Sequence, residues 1–243
     1  MKKNLKINSS TLWLRNFPWK KKKDHKYSRG KLIIFGSQLN MTGSTILSAE
    51  AALRVGTGSV KIICSKKTLP IYSSKFPSVL KEEINTLFSL KKLIVKEKNS
   101  IFLIGPGAGV NLITKKRTEL ILKNSKYAII DADALTCFKK KPAGLYSLLD
   151  KNKIITPHIK EFHSIFPKIS KKINNYEKIV KASKVCKCNI VLKGANTLIS
   201  SPNGNIVLNK HTSSELAVIG SGDVLSGIIA SLVGKNKLNP FLA

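Results

Sequence analysis

Short apolar runs alternate along the chain with segments whose apolar side chains recur every three or four residues. The runs predict buried strands, and the periodic segments predict helices with one apolar face. Predicted strands span residues 32–35, 60–64, 101–104, 127–130, 153–155 and 190–192. Predicted helices span about 42–55, 112–123, 176–187 and 222–234. This alternation is typical of an α/β fold with a mainly parallel central sheet and helices on both faces.

Two further runs, 198–200 and 206–208, flank Pro202-Asn203-Gly204. That turn chemistry predicts a hairpin, and therefore antiparallel strands at one edge of the sheet. Residues 1–29 are predicted to be a basic N-terminal lead-in. Residues 65–99 are rich in Lys and poorly patterned, so a surface helix and irregular connections are expected there. Residues 30–243 show no internal repeat or linker and are predicted to be a single domain.

The charge of the chain is unusual for its length. Its 243 residues carry 43 Lys and Arg against 13 Asp and Glu, a net charge of +30. Four of the 43 are Arg, so 43 − 4 = 39 are Lys, whereas proteins that read bases favour Arg. The scattered Lys, with abundant Asn and Ile, indicates the codon usage of an AT-rich genome on a solvated surface. No specific nucleic-acid partner is expected.

Membrane and disulfide signals are weak. The stretch 216–234 is the longest with little charge, but Asp223 lies at its centre, which costs about 2.5–3.5 kcal/mol in a bilayer. No membrane association is expected. Four Cys, including the pair Cys186 and Cys188, are too few for a disulfide framework. Reduced thiols and a cytoplasmic location are therefore expected.

The strongest candidate for chemistry is the run Gly220-Ser221-Gly222-Asp223 at the start of the last predicted helix. Free backbone N–H groups of Gly220, Ser221 and Gly222, together with the helix dipole, would form an anion hole. Asp223 could take a proton from a hydroxyl group while these N–H groups hold the charge of a phosphoryl group. The same pattern also fits an ordinary helix start, capped by Ser221 or Asp223.

Other polar motifs follow strand ends, which line the ligand-binding edge of open parallel sheets. They are 105–109 (GPGAG), 131–133 (DAD), 156–158 (TPH) and 193–197 (KGANT). The first resembles a phosphate-binding turn but lacks the Lys-Ser/Thr ending of a P-loop. The last could meet a nucleotide, or simply turn the chain into the hairpin.

The remaining two motifs each fit both a functional and a structural role. His158 could contact a ligand or be a structural histidine. Asp131 and Asp133 could hold Mg²⁺ through water or cap the following helix, so no metal ligand is assigned.

The order of the motifs resembles the ADP- or ATP-dependent NAD(P)H-hydrate dehydratases, over about residues 27–234. The pieces D-A-D-A-L at 131–135 and T-P-H-x-x-E-F at 156–162 distinguish that family from sugar kinases. The resemblance implies a three-layer ribokinase-like fold, a homo-oligomer, and hydrated NAD(P)H and an adenine nucleotide as small-molecule partners.

The resemblance also implies a repair reaction. The S epimer of hydrated NADH or NADPH is phosphorylated on its ring hydroxyl by ADP or ATP with Mg²⁺, and loss of phosphate restores the reduced cofactor. Residues implied to touch the hydrated cofactor are Ser44, Gly107, His158 and Asp223. Residues implied to touch the nucleotide are Lys193, Gly194, Ala195, Asn196, Thr197 and Gly222.

Some positions depart from the family pattern. Val218 and Ile219 replace a Thr and a Gly, and Ser44 replaces an Ala. Ile219 is β-branched and is not expected to take the positive φ that Gly permits. A shortened C-terminus and the absence of the epimerase domain of bifunctional relatives are also expected. A small-molecule alcohol kinase, a degenerate basic binding protein and an inactive chain are the competing hypotheses.

Overall fold

Within residues 5–211, 213–234 and 239–243, which the computed structural model describes, ten strands form one mixed sheet. The strands are β1 (Leu5–Ile7), β2 (Lys31–Phe35), β3 (Ser59–Cys64), β4 (Leu80–Glu83), β5 (Ile101–Ile104), β6 (Tyr127–Ile130), β7 (Lys153–Ile155), β8 (Asn189–Leu192), β9 (Thr197–Ser200) and β10 (Ile206–Asn209). Their order across the sheet is β1-β10-β9-β8-β7-β6-β5-β2-β3-β4. The run from β8 to β4 is parallel, and β9 is antiparallel to both of its neighbours.

Helices cover both faces of the sheet and make three layers. They are α1 (Thr42–Val55), α2 (Leu69–Lys75), α3 (Leu87–Lys96), α4 (Leu112–Asn124), α5 (Ala132–Thr136), α6 (Ala143–Tyr146), α7 (Ile159–Ile165), α8 (Asn175–Cys186) and α9 (Ser221–Gly234). One apolar core lies between the sheet and α3–α8, and a second lies beneath α1, α2 and α9. Central strands such as β5 and β6 are buried along their whole length, as parallel strands covered on two faces must be.

The predicted architecture is confirmed. The strands predicted at 101–104, 127–130 and 153–155 have the predicted bounds, and the antiparallel hairpin lies beyond β8. Two strands of the sheet were not predicted from the sequence. β1 lies in the expected lead-in and pairs in parallel with β10, while β4 lies in the expected irregular region and pairs with β3. Both are at the outer edges of the sheet, where short or charged sequence is tolerated.

The helix α1 begins at Thr42, so the sequence-based prediction that Thr42 or Ser44 is its N-cap is wrong. Its N-cap is Met41, and neither Thr42 nor Ser44 caps the helix with its side chain. Its end at Gly56, in a left-handed conformation with φ +99°, is the one that the Gly-Thr-Gly sequence predicts.

The helices and the cysteines bear on the expectations for membranes and disulfides. Among the described helices, none combines the length and apolar character needed to cross a bilayer. All four cysteines are free thiols, and Cys186 Sγ lies 3.2 Å from Cys188 Sγ in the core.

Candidate functional site

Close packing of α1 against α9 fixes the position of Asp223. Gly227 lets the two helices approach, since a Cβ there would lie 2.2 Å from the Ser48 carbonyl oxygen. Ser48 Oγ in turn donates to the Asp223 backbone carbonyl, at 2.9 Å. The Asp223 side chain lies on the first turn of α9 and is hydrogen-bonded by Ser44 of α1.

The surroundings of Asp223 suit a group that accepts a proton. Partial burial raises the pKa of Asp223 above the ordinary aspartate value. The Ser44 hydrogen bond and the Lys193 charge lower that pKa, while the charges of Asp131 and Asp133 raise it. The structure therefore brings Ser44, Lys193 and Asp223 together at the carboxyl edge of the sheet.

A buried ion pair lies beside Asp223. Lys193 Nζ, just after β8, is 2.8 Å from Asp131 Oδ1, just after β6. Asp131 is 1% exposed, and its Oδ2 accepts a hydrogen bond from Ser226 Oγ of α9, at 2.6 Å. Lys193 Nζ also lies 3.5 Å from the point that a Cβ on Gly222 would occupy. The ammonium group is thus held next to the start of α9, where an anion would meet both. Ser226 was missed from the sequence, although it lies one helical turn beyond Asp223.

The glycine-rich turn after β5 is shaped by its neighbours. Gly105 has φ +130°, and a Cβ there would lie 1.7 Å from the Asp131 carbonyl oxygen. Gly107 has φ +61° and is buried against Ser37, and the Gly109 N–H donates to Asp133 Oδ2 at 2.8 Å. The turn therefore requires glycine on geometric grounds, and the predicted contact of Gly107 with the hydrated cofactor stays a prediction.

His158 is the N-cap of α7. Its Nδ1 accepts from the N–H groups of Lys160 and Glu161, at 3.1 and 3.3 Å, while Glu161 Oε2 accepts from the His158 N–H, at 2.9 Å. This reciprocal arrangement is a capping box, with histidine in the usual place of Ser or Thr. The His158 side chain is half exposed, with Nε2 3.5 Å from Glu161 Oε1, so a structural role is visible and the predicted ligand role stays a prediction.

The remaining nucleotide-binding candidates form an open loop. Gly194, Ala195 and Asn196 are exposed, and Thr197 Oγ1 donates to the Gly194 carbonyl oxygen, at 3.0 Å. The loop turns the chain from β8 into the hairpin of β9 and β10, which was one of the two interpretations of the 193–197 motif. The predicted contact of these residues with a nucleotide stays a prediction.

The residues of the predicted anion hole lie at the start of α9. Gly220 has φ +94°, and the Val224 N–H donates to its carbonyl, at 3.0 Å. The Ser221 N–H and Ser221 Oγ both donate to the Val218 carbonyl, at 3.3 and 2.9 Å, so the prediction that the Ser221 N–H is free for an anion is wrong. Among the described residues, positive φ outside glycine occurs at Ala132 and Lys187, so the substitution at Ile219 brings no such strain. Ile219 is instead fully exposed.

The same carboxylates decide how well the site fits Mg²⁺. The described part of the chain holds no group of three His, Cys, Asp or Glu side chains arranged for a metal. Both Asp131 oxygens accept hydrogen bonds from Lys193, Ala132 or Ser226, and Asp133 Oδ2 accepts from Gly109. These carboxylates do not form a protein-held metal site, and the expectation of Mg²⁺ stays a prediction.

Two cavities among the described residues lie away from these groups. One, of about 900 Å³, is at the opposite edge, beside Gly30 and Ile101, and another, of about 480 Å³, lies beside β10. The assignment of the carboxyl edge therefore rests on its chemistry.

Comparisons with known proteins agree with this geometry. The sequence model of the NAD(P)H-hydrate dehydratases matches residues 31–243. The chain is 31% identical to the ADP-dependent (S)-NAD(P)H-hydrate dehydratase of Staphylococcus aureus, over 94% of this chain and 82% of that protein. It is 32% identical to the bifunctional NAD(P)H-hydrate repair enzyme of Dictyoglomus turgidum, over 85% of this chain, and spans 42% of that enzyme's length. The ADP/ATP-dependent NAD(P)H-hydrate dehydratase of Bacillus subtilis, co-crystallised with ATP/Mg²⁺, shares the fold, with TM-score 0.76 and 23% identity over 98% of this chain and 86% of that one.

Proposed function

The chain belongs to the NAD(P)H-hydrate dehydratase family, and we propose that it uses ADP or ATP to restore the S epimer of hydrated NADH or NADPH to the reduced cofactor. The observation that carries the proposal is the juxtaposition of Asp223, Ser44 and Lys193 at the start of α9. This places a carboxylate, a cation and backbone N–H groups around one point. The hypothesis of an alcohol kinase gains no comparable support from the matches.

The proposed reaction has two stages. Asp223 accepts the proton of the ring hydroxyl, and the oxygen attacks the terminal phosphorus of the nucleotide. A C–O–P linkage forms as the bond to the leaving nucleotide phosphate breaks. In the second stage the phosphate leaves with the electron pair of the ring C–O bond, and loss of a neighbouring ring proton restores the double bond. Overall, ATP and the hydrated cofactor give ADP, phosphate, NAD(P)H and a proton.

Each residue of the site has a proposed role in these two stages. Lys193 and the N–H groups of Gly220 and Gly222 are proposed to face the charge that grows on the transferred phosphoryl group. Ser44 orients the Asp223 carboxylate by its hydrogen bond. The loop from Gly194 to Thr197 lies where it can receive the rest of the nucleotide. His158 and Gly107 are proposed to bound the pocket of the hydrated ring.

The test follows the return of the reduced-nicotinamide absorbance from hydrated NADPH, with Mg²⁺ and either ADP or ATP. Asp223→Asn is expected to lower the rate by about 10²–10⁴-fold, the usual contribution of a general base. Asp150→Asn, at an exposed carboxylate near the opposite edge, should retain the wild-type rate. Equal rates for wild type and Asp223→Asn would overturn the assigned role of Asp223.

A cytoplasmic location and a homo-oligomer are part of the same proposal. The four free thiols support a reducing compartment. Sedimentation of the purified chain measures its assembly.

A further inference from the structure

The Asp131 carboxylate is bonded on both oxygens by groups from separate elements. Oδ1 accepts from Lys193 Nζ and from the Ala132 N–H, each at 2.8 Å. Oδ2 accepts from Ser226 Oγ at 2.6 Å. A carboxylate buried to this extent is costly unless such bonds are complete. The hydroxyl of Ser226 therefore helps to fix the orientation of the carboxylate that grips Lys193.

The solvent-exposed member of this network is Lys193, which lies beside the proposed site. The Lys193 side chain is 20% exposed, whereas that of Asp131 is 2% exposed. The ammonium group lies next to Gly222, at the start of the same helix that carries Ser226. The three side chains thus run from the middle of α9, through the sheet edge, and back to the α9 N-terminus.

We propose that Ser226 is a positioning residue that acts through Asp131 to hold Lys193 in place for the phosphate groups of the nucleotide. The inference rests on the proposed function, because it assigns the nucleotide to Lys193. Ser226 touches neither substrate. Its effect is to keep Asp131 from rotating, so that the Lys193 ammonium group meets the nucleotide already oriented.

A matched control lies on the same helix. Ser231 is, like Ser226, a fully buried serine of α9. Its Oγ is 2.6 Å from Thr57 Oγ1, far from Asp131, so its hydroxyl belongs to packing between α9 and the end of α1. Loss of either hydroxyl should lower stability similarly, while only Ser226 is connected to Lys193.

The electrostatics of Asp223 supply a second readout. The charged or polar groups that face it are Asp131, Asp133, Lys193 and Ser44. Since the Lys193 charge lowers the pKa of Asp223 and the Asp131 charge raises it, Lys193→Met should move the acid limb of the pH–kcat/KM profile upward, and Asp131→Asn should move it downward. A purely structural defect would not shift the acid limb in opposite directions in the Lys193→Met and Asp131→Asn variants.

The experiment titrates ATP into the full chain by calorimetry, in the absence of hydrated cofactor. Ser226→Ala should weaken ATP binding by about tenfold, comparable with the loss of a hydrogen bond to a charged group. Ser231→Ala should change it by less than about twofold. In the Lys193→Met background, Ser226→Ala should have no further effect, because coupled residues are not additive.

Three results would overturn the proposal. They are equal losses in the two serine variants, an undiminished effect of Ser226→Ala in the Lys193→Met background, and failure of the wild type to bind ATP. ATP binding with the expected variant pattern, but without cofactor restoration, would instead refute the dehydratase function and leave the positioning role of Ser226 supported.

Discussion

Two lysines at the ends of neighbouring strands differ in burial, in partners and in the role that we assign to them. Lys153 is the first residue of β7, at the amino edge, and its side chain is 1% exposed. Its Nζ donates to the carbonyl oxygens of Ser125 and Lys126, at 2.6 and 2.8 Å. Lys193 follows the last residue of β8, at the carboxyl edge, and pairs with Asp131.

The two lysines differ in their partners and in their access to solvent. Lys153 donates hydrogen bonds to two backbone carbonyls and lies 3.6 Å from the exposed Asp150 carboxylate, contacts that tie the ends of adjacent strands together. Lys193 pairs with a buried carboxylate and keeps one side open, next to a helix N-terminus. Burial alone therefore does not mark a functional lysine, and the role proposed for Lys193 rests on its position beside the start of α9.

The largest effect on stability is expected from glycines at the two edges. Gly105→Ala would bring a Cβ against the Asp131 carbonyl oxygen, and Gly30→Ala would bring one to 2.4 Å from the Gly234 carbonyl oxygen. With φ positive at both, each should cost at least about 3 kcal/mol of unfolding free energy by urea denaturation. Only Gly105→Ala should also lower kcat/KM of the remaining folded protein. A loss of kcat/KM in both variants would contradict the proposal that the catalytic site lies at the carboxyl edge and not at the amino edge.

The next effect separates the two lysines directly. Lys193→Met should weaken ATP binding by about 10–100-fold, from the loss of a charge-assisted contact. Lys153→Met should leave ATP affinity within about twofold, because its partners are carbonyls at the other edge. Calorimetric titration of both variants measures this contrast. Equal weakening would show that Lys193 has no special relation to the nucleotide.

A smaller effect concerns stability at neutral pH. Lys153→Met leaves the Ser125 and Lys126 carbonyls without their donor and should lower the unfolding free energy by about 2 kcal/mol. The denaturant midpoint measures this, with Lys151→Met, at an exposed lysine, as the control. An unchanged midpoint in Lys153→Met would mean that water replaces the ammonium group at no cost.

The smallest effect is the pH dependence of that stability. Burial lowers the pKa of Lys153 below the ordinary lysine value, so between the two values the unfolded chain binds more protons than the folded chain. Stability from this group therefore rises with pH up to the ordinary lysine pKa. The stability difference between wild type and Lys153→Met should widen as pH increases toward about 10. A difference that narrows over this range would contradict the sign.

Much of the fold could be predicted because buried parallel strands leave plain apolar runs. β5, β6 and β7 are covered on both faces, so their sequences alone set their bounds. β4, with the sequence Leu-Lys-Glu-Glu, is an edge strand whose charged side chains meet solvent, and no apolar run marks it. β1 is short and pairs with a strand distant in sequence, a contact that local patterning does not report.

The site could be predicted less completely. Asp223 and Lys193 belong to recognisable motifs, and the structure brings them together. The role of Ser226 depends on a hydrogen bond across 95 positions of the chain, and a serine within a helix has no distinctive pattern. His158 was predicted as a ligand or a structural residue, and its capping bonds could have been suspected from the His-x-x-Glu spacing, which mimics a capping box.

Nucleotide consumption at the carboxyl edge is proposed to restore the reduced cofactor. The most direct measurement follows phosphate release and the reduced-nicotinamide absorbance together, in one reaction of the wild-type chain with ATP and hydrated NADPH. Phosphate and NADPH are expected in equal amounts, and both should appear about 10²–10⁴-fold more slowly in Asp223→Asn. Restoration of NADPH without nucleotide, or phosphate release that does not depend on hydrated NADPH, would contradict it.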